Sequence, residues 1–305
     1  MLTTFGTSRL LLQALRAKTG ISRPGAWTFV LPYGIGDTYM VCALAAQARE
    51  RLNGDSCTVV VRRAHADIPV MFPGAFSQLA VYDQLNFKRI AALSRFKKGY
   101  PIVFHPNFQG LDRVLGYGGF NLLDSYRVLF GLPRETVAAT PVIHPQWRRS
   151  AEARFDQALL PRGRTVLLVP DAVTVQPVDN RLWLALVRQL TEQGYTVATN
   201  VPNNALIGLP GTVPLTFPLC EAIPIVELAG RVISLRSGFC DLIATARCAL
   251  TVLYPEEGSE APFDGFTTYS LRLTGLCDRV YEQKIPPAGD WEALAADVLR
   301  EGQSK

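Results

Sequence analysis

Short apolar runs of strand length alternate with longer amphipathic segments of helical spacing along nearly the whole chain. AWTFVL, CTVVVRR, LAVYD and PIVFH read as strands, with helical spacing over residues 38–52 and helical patches near Ile68 and Leu93 between them. A glycine- and aromatic-rich stretch, HPNFQGLDRVLGYGGFN, reads as a loop, after which NLLDSYRVLF resumes a helix. Prolines around PVIHPQW interrupt this pattern, and a second alternation follows. It runs through TVLLVP, a helix NRLWLALVRQLTEQG closed by Gly194, YTVATNV, VPLTF, a short helix after Ile223, RVISL, a helix from Gly238 and ALTVLYP. The tail DWEALAADVLREG has helical spacing behind an aspartate cap.

Strands separated by helices imply parallel sheets covered on both faces. The expected fold is therefore α/β with two domains, residues 1–146 and 147–305, facing each other across a central cleft. The last helix is free in this reading to pack back on the first domain. Near the N-terminus, SRLLLQALRAK places Leu11, Ala14 and Leu15 on one helical face, Leu12 at its edge and Arg9 and Arg16 opposite. That pattern fits a helix packed on its own domain, or a basic amphipathic contact with a membrane surface.

A length of 305 residues and 48% hydrophobic content allow two sizeable cores. The formal charge of +5, from 31 basic and 26 acidic residues, is too small and too dispersed an excess to mark a nucleic-acid binder and suits an anionic ligand or membrane surface. Six scattered cysteines without a Cys-x-x-Cys pair argue against a zinc site or a disulfide framework, and favour a reducing cytoplasm. Three histidines with no His-x-x-x-His spacing make a dedicated metal site an unneeded assumption, so no metal and no cofactor are expected.

Open parallel sheets bind ligands beyond the carboxyl ends of their strands, so the residues following each strand carry the most functional information. After the first long strand comes YGIGDT, whose two glycines allow a sharp turn and leave Asp37 at a helix start, as a cap or a catalytic carboxylate. The incomplete Gly-x-Gly-x-x-Gly pattern, with Tyr39 last, gives little support to a nicotinamide site. In the second half, RSGFCD places Ser237 and Gly238 at a helix start where amides can receive a phosphate. Arg236 either adds a two-pronged contact to that anion or pairs with Asp241. Further candidates are Asp171 and Arg181 in the loop after TVLLVP, and Glu256 and Glu257 in YPEEGSE as ribose ligands or solvated acids. His105, with Asn107 behind it, follows a strand and offers a base, a donor to an acceptor sugar or a fixed loop residue.

The Gly36-Asp37 helix start, the Pro170-Asp171-Ala172 loop, Arg181-Leu182-Trp183 and Arg236-Ser237-Gly238 with Asp241 resemble the family-nine glycosyltransferases of the two-Rossmann class (GT-B), the lipopolysaccharide heptosyltransferases and their relatives. The departures are Asp171 for the family's glycine, Arg181 for its lysine, and Arg236 and Asp241 at the ends of its Asp-Ser-Gly-x-x-His segment. The resemblance implies metal-independent transfer of a sugar from a nucleotide-sugar donor to a glycan or glycolipid acceptor in bacterial surface polysaccharide or lipopolysaccharide synthesis. Asp37 would be the base, Gly36, His105 and Asn107 would lie on the acceptor side, and Arg236, Ser237, Gly238, Asp241, Asp171, Arg181, Glu256 and Glu257 on the donor side. It also implies a cytoplasmic protein, with peripheral contact to the inner face of the membrane left open. The alternatives are a transferase for a CMP-linked acidic sugar, a retaining enzyme of the same fold, or a non-catalytic nucleotide-sugar or glycan-binding module.

Overall fold

The structure is a computed structural model describing residues 2–21, 26–52, 56–173, 175–201, 207–256 and 265–302. It divides into two compact units, Met1–Val142 and Ile143–Lys305.

The first unit contains β1 (Thr3–Thr4), α1 (Thr7–Thr19), β2 (Trp27–Val30), α2 (Ile35–Arg51), β3 (Cys57–Arg62), α3 (Asp67–Val70), β4 (Gln78–Tyr82), α4 (Phe87–Leu93), β5 (Pro101–Val103), α5 (Pro106–Gln109) and α6 (Leu122–Phe130). Its strands are parallel in the order β1-β4-β3-β2-β5. From β2 the chain proceeds through β3 to β4, then returns to place β5 on the opposite side of β2. The order therefore reverses between β2 and β5, which opens a crevice at their carboxyl ends.

Helices α1 and α4 cover one face of this sheet, burying Leu10 and Ile90 among Val30, Val60, Ala80, Tyr82 and Val103. The face of α1 differs from the one its spacing suggested: Leu10 and Ala14 are buried, whereas Leu12 and Leu15 are exposed on the same side as Arg9 and Arg16. Three consecutive leucines leave the phase of the helix undetermined, and packing against α4 decides it.

The second unit contains α7 (Pro145–Gln157), β6 (Thr165–Val169), α8 (Asn180–Glu192), β7 (Thr196–Asn200), β8 (Val213–Leu215), α9 (Ala222–Ala229), β9 (Gly230–Leu235), α10 (Gly238–Ile243), β10 (Ala249–Pro255), α11 (Gly265–Tyr269), β11 (Val280–Ile285) and α12 (Trp291–Glu301). Its parallel order is β11-β10-β9-β6-β7-β8, with the reversal between β6 and β9.

The residues around the boundary expected between 146 and 147 form the first turn of α7. Pro145 occupies the first turn, where its missing N–H is no loss, and His144 Nδ1 accepts the Gln146 amide at 3.2 Å. Ser150 and Arg154 on α7 donate to the buried Glu221 carboxylate at 2.7 and 2.9 Å, tying the helix to the segment that opens α9. The terminal helix α12 is capped by Asp290, as its sequence suggested, and lies against α8 with Trp291, Ala295, Val298 and Leu299 in the core of its own unit.

Gly230 links α9 directly to β9 at φ +86°, and a β-carbon there would sit 3.2 Å from the Gly163 Cα. Gly230→Ala should lower the unfolding free energy by at least the ~1–2 kcal/mol of a left-handed non-glycine residue. Urea titration measures the loss, and an unchanged midpoint would contradict the close approach.

Candidate active site

Each reversal of strand order carries its own group of polar side chains. In the first unit, β2 ends at Val30 and the chain runs through Leu31 and Tyr33 into α2, while β5 ends at Val103 and runs into His105. Asp37 in the first turn of α2 thereby meets His105. The Asp37 Oδ1 receives the Tyr126 hydroxyl at 2.8 Å and His105 Nε2 at 3.2 Å, and its Oδ2 receives the Gly34 amide at 3.1 Å. The side chain is only 18% exposed. Burial pushes the carboxyl pKa up, but the His105 imidazole, the Tyr126 hydroxyl and the Gly34 amide outweigh it and hold the group below the ordinary carboxylate value.

The ring of His105 is fixed at both nitrogens. Nδ1 accepts the Asn107 amide at 3.1 Å and so carries no proton, which places the proton on Nε2, directed at Asp37. Neither nitrogen is free to take a proton from, or donate to, an acceptor. Of the base, the sugar contact and the fixed loop residue that its place in sequence allowed, this geometry fits the last. Asn107 supplies its backbone for this purpose and leaves its side chain exposed.

Gly34 has φ −83° and ψ −169°, an extended conformation open to any residue, so the expected need for glycine in a sharp turn does not arise there. Gly36 is buried inside the first turn of α2.

Tyr33, 40% exposed, packs its ring edge-on to His105 with centroids 4.3 Å apart. It also lines an open groove of about 650 Å³ with Thr7, Gln84, Asn86, Lys88 and Phe108. Aromatic faces beside amide and hydroxyl groups suit a polyhydroxylated ligand.

A further histidine approaches from the turn after β3. His65 Nδ1 is buried without a hydrogen-bond partner among the described residues, and burial together with the Arg62 cation pushes the imidazole from the ordinary 6.5 to about 4, against an opposing pull from the Asp37 charge. No sequence motif distinguishes His65, Tyr126 or Tyr33. Tyr126 and Asp37 are 89 positions apart, and nothing in the helical pattern of NLLDSYRVLF distinguishes its tyrosine.

In the second unit, adjacent strands β10, β9 and β6 deliver Glu256, Ser237 and Asp171 to one carboxyl edge. Asp171 and Glu256 are exposed there; Glu257 lies outside the described residues. Gly238 begins α10, and Ser237 Oγ is buried beside it with no hydrogen-bond partner among the described residues.

Arg236 departs most from its expected role as a phosphate ligand. It is 4% exposed, its Nη2 and Nη1 reach Asp241 at 2.7 and 3.1 Å, its Nε donates to the Tyr269 carbonyl at 2.8 Å and Nη1 also donates to the Ser237 carbonyl. Burial opposes the charge, yet the Asp241 carboxylate more than compensates and keeps the guanidinium protonated. The pair is a buried brace between β9, α10 and the end of α11, and Asp241 is part of it rather than a ligand.

Arg181 in the first turn of α8 is exposed and bound two-pronged by Asp179, so an incoming anion would compete with that carboxylate. Among the described residues, no three His, Cys, Asp or Glu side chains converge as a metal-binding group, and no helix is long and apolar enough to cross a membrane.

No protein-family model matches the sequence, and no curated protein matches it. Solved structures do match in fold. The Escherichia coli ADP-heptose lipopolysaccharide heptosyltransferase II superposes with a TM-score of 0.57 at 15% identity, over 90% of this chain and 99% of that one. A family-nine glycosyltransferase from Veillonella parvula gives 0.60 at 13%, over 92% and 88%. E. coli heptosyltransferase WaaC with ADP-2-deoxy-2-fluoro heptose gives 0.53 at 13%, over 91% and 98%. The chain thus has the two-Rossmann glycosyltransferase fold and resembles the family-nine structures.

Two outcomes test this geometry. Arg236→Ala should destabilise the protein by about 3–5 kcal/mol, because it strands a buried carboxylate, whereas removal of a surface phosphate ligand would leave the unfolding midpoint in place. For His65, the folded state resists protonation, so protons bind the unfolded chain first. Its contribution is complete above about pH 6.5 and is lost as pH falls toward about 4, by up to about 3 kcal/mol. Unfolding titrations across that range should show a shallower acid dependence in His65→Gln.

Proposed function

We propose that this chain is a glycosyltransferase that moves a hexosyl or heptosyl group from a nucleotide-sugar donor to a glycan or glycolipid acceptor, without a metal ion, in the assembly of a bacterial surface polysaccharide or lipopolysaccharide. The observation that carries this reading is Asp37: a carboxylate kept ionised at the strand-order reversal of the first unit, with one Oδ2 lone pair unused among the described residues. The likeness in fold to heptosyltransferases, one of which, WaaC, is described both with ADP and with ADP-2-deoxy-2-fluoro heptose, supports a nucleotide-sugar as donor.

An acceptor hydroxyl hydrogen-bonded to Asp37 Oδ2 attacks the anomeric carbon. The new C–O bond forms as the bond to the donor diphosphate breaks, the hydroxyl proton passes to Asp37, and the electron pair leaves with the diphosphate. Burial of Asp37 strengthens its contact with that hydroxyl, while its hydrogen bonds fix its direction. His105 and Tyr126 act by holding the carboxylate. On the donor side, Ser237 Oγ offers an uncommitted buried hydroxyl, and Asp171 and Glu256 share its edge as ribose or sugar ligands. Arg236 shapes this edge through Asp241 and does not touch the phosphate.

The depressed pKa and three hydrogen bonds of Asp37 would equally suit a fixed helix-capping carboxylate in a non-catalytic nucleotide-sugar-binding module. Asp37→Asn separates the two readings, because it keeps the shape and removes the base. Turnover should fall about 10²–10⁴-fold with donor affinity retained. Full transfer activity in Asp37→Asn would overturn the mechanism. Tyr126→Phe removes one donor to the carboxylate while keeping the ring, and should raise the lower pKa of the kcat profile together with a smaller fall in rate. A thermal-shift series with ADP, UDP, GDP and CMP identifies the nucleotide, since a ligand specific to the folded form raises the melting temperature.

A further inference from the structure

Two of the six cysteines, 29 positions apart in sequence, come together in the second unit. Cys248 lies in the turn that leads from α10 into β10, and Cys277 in the turn that leads from α11 into β11. These two strands run parallel with Leu250 opposite Val280, so the cysteines stand two and three residues ahead of the same rung. Neighbouring strands lie about 4.8 Å apart, and a disulfide bridges Cα atoms about 4.4–6.8 Å apart. The register therefore brings the two thiols to neighbouring positions at the amino edge of the sheet. A charge on Cys277 is felt at Cys248, in agreement with that placement.

Both side chains are half-buried free thiols, and Arg247, Ala249, Asp278 and Arg279 beside them are exposed, so a small reagent can reach the pair. Cys42, Cys57 and Cys240, by contrast, are buried. The strand that a bridge would secure is a weakly supported one. β11 is the edge of its sheet, laddered to β10 alone, with a middle that is intermediate to exposed. Farther along the same strand pair, Tyr254 of β10 donates to Glu282 of β11. The thiols occupy the opposite, amino end of that pair.

We propose that Cys248 and Cys277 form a reversible disulfide, a redox modification site that fastens the edge strand β11 to β10. The oxidant is a small-molecule disulfide of the glutathione class. Cys277 loses its proton, its thiolate attacks one sulfur of the oxidant, and the first small thiolate leaves as the mixed S–S bond forms. Cys248 then loses its proton and attacks the Cys277 sulfur, which forms the protein disulfide and expels the second small thiolate. Two protein thiols are oxidised and one small disulfide is reduced to two thiols, so electrons and protons balance.

The order of attack follows from the surroundings. Burial, followed by the Cys277 and Glu227 charges, pushes the Cys248 thiol up to about 12. Burial also raises Cys277, with Asp278 and Glu282 adding to it, but the Arg279 amide and guanidinium pull the other way. Because the thiolate is the reacting form, both steps are slow at neutral pH and quicken as pH rises. The pair rests as a dithiol in reducing surroundings and records sustained oxidation.

Peptide mapping of the folded, full-length protein tests the pairing. After exposure to oxidised glutathione at mildly alkaline pH, free thiols are blocked with iodoacetamide in denaturant. The expected product is a linked Cys248–Cys277 peptide, lighter by two hydrogens than its two halves and separated by dithiothreitol, with Cys42, Cys57 and Cys240 still alkylated. The oxidised protein should melt about 5 °C or more higher than the reduced one. Hydrogen exchange at the β11 amides should slow about tenfold or more, while exchange in α2 of the first unit stays unchanged.

Cys248→Ser should stop at glutathione on Cys277, and Cys277→Ser should leave Cys248 a free thiol. Neither variant should gain melting temperature on oxidation, and both should melt near the native protein when reduced. Two thiols that remain alkylated after prolonged oxidation, a linkage that forms only in urea, a bridge from either residue to Cys220, or β11 amides that exchange as fast after oxidation as before would overturn the proposal. Asp37→Asn should oxidise like the native protein, so this result stands apart from the transferase reading.

Discussion

A carboxylate four-fifths hidden from water must remain ionised at the mouth of the first sheet, and the surrounding structure is arranged around that requirement. Removing an ion from water costs several kcal/mol unless fixed dipoles replace the lost hydration. Asp37 obtains them from three separate parts of the chain: the Gly34 amide at its own helix start, His105 after β5 and Tyr126 on α6. The need for those donors fixes the spacing between α2, the β5 loop and α6, while the strand-order reversal brings them within reach. His105 can serve only because the Asn107 amide has already selected its tautomer.

The same cost has the opposite outcome in the second unit. Arg236 is buried more deeply, and nearly all of its donor capacity is spent within the protein, on Asp241 and two backbone carbonyls. A buried cation so completely satisfied is a structural brace, whereas a buried anion with a remaining lone pair is available for chemistry. The neighbouring Tyr254 extends the brace by donating to Glu282, a carboxylate that also accepts the Ser270 hydroxyl and the Leu271 amide at 2.7 and 2.8 Å. Beneath the candidate donor edge there is therefore a rigid polar layer, above which Ser237 Oγ remains uncommitted.

Much of the fold was legible because apolar periodicity reports burial directly. ALTVLYP corresponds to β10 over its full length, and the α8 pattern closes at Gly194 with φ +79°, the conformation that a glycine stop requires. The elements missed were those whose stability lies elsewhere in the chain. The two residues of β1 are held by β4, β11 is an edge strand with an intermediate-to-exposed middle, and α7 hides behind a proline and a polar composition while resting on α9 and Glu221. The phase of α1 was ambiguous for the same reason, since a run of leucines can bury more than one face.

The sequence by itself determined the two parallel-sheet halves and the strand ends on which polar residues gather, because these follow from local period and turn chemistry. Tertiary structure alone decided which of those polar residues remain available. It consumed Arg236 and Asp241 in each other, tied down both nitrogens of His105 and brought Tyr126 to Asp37 across 89 positions. The physical reason is that a side chain's chemistry depends on which of its hydrogen bonds are already made, and those are settled only when the chain is packed, whether the partner lies two, five or 89 positions away.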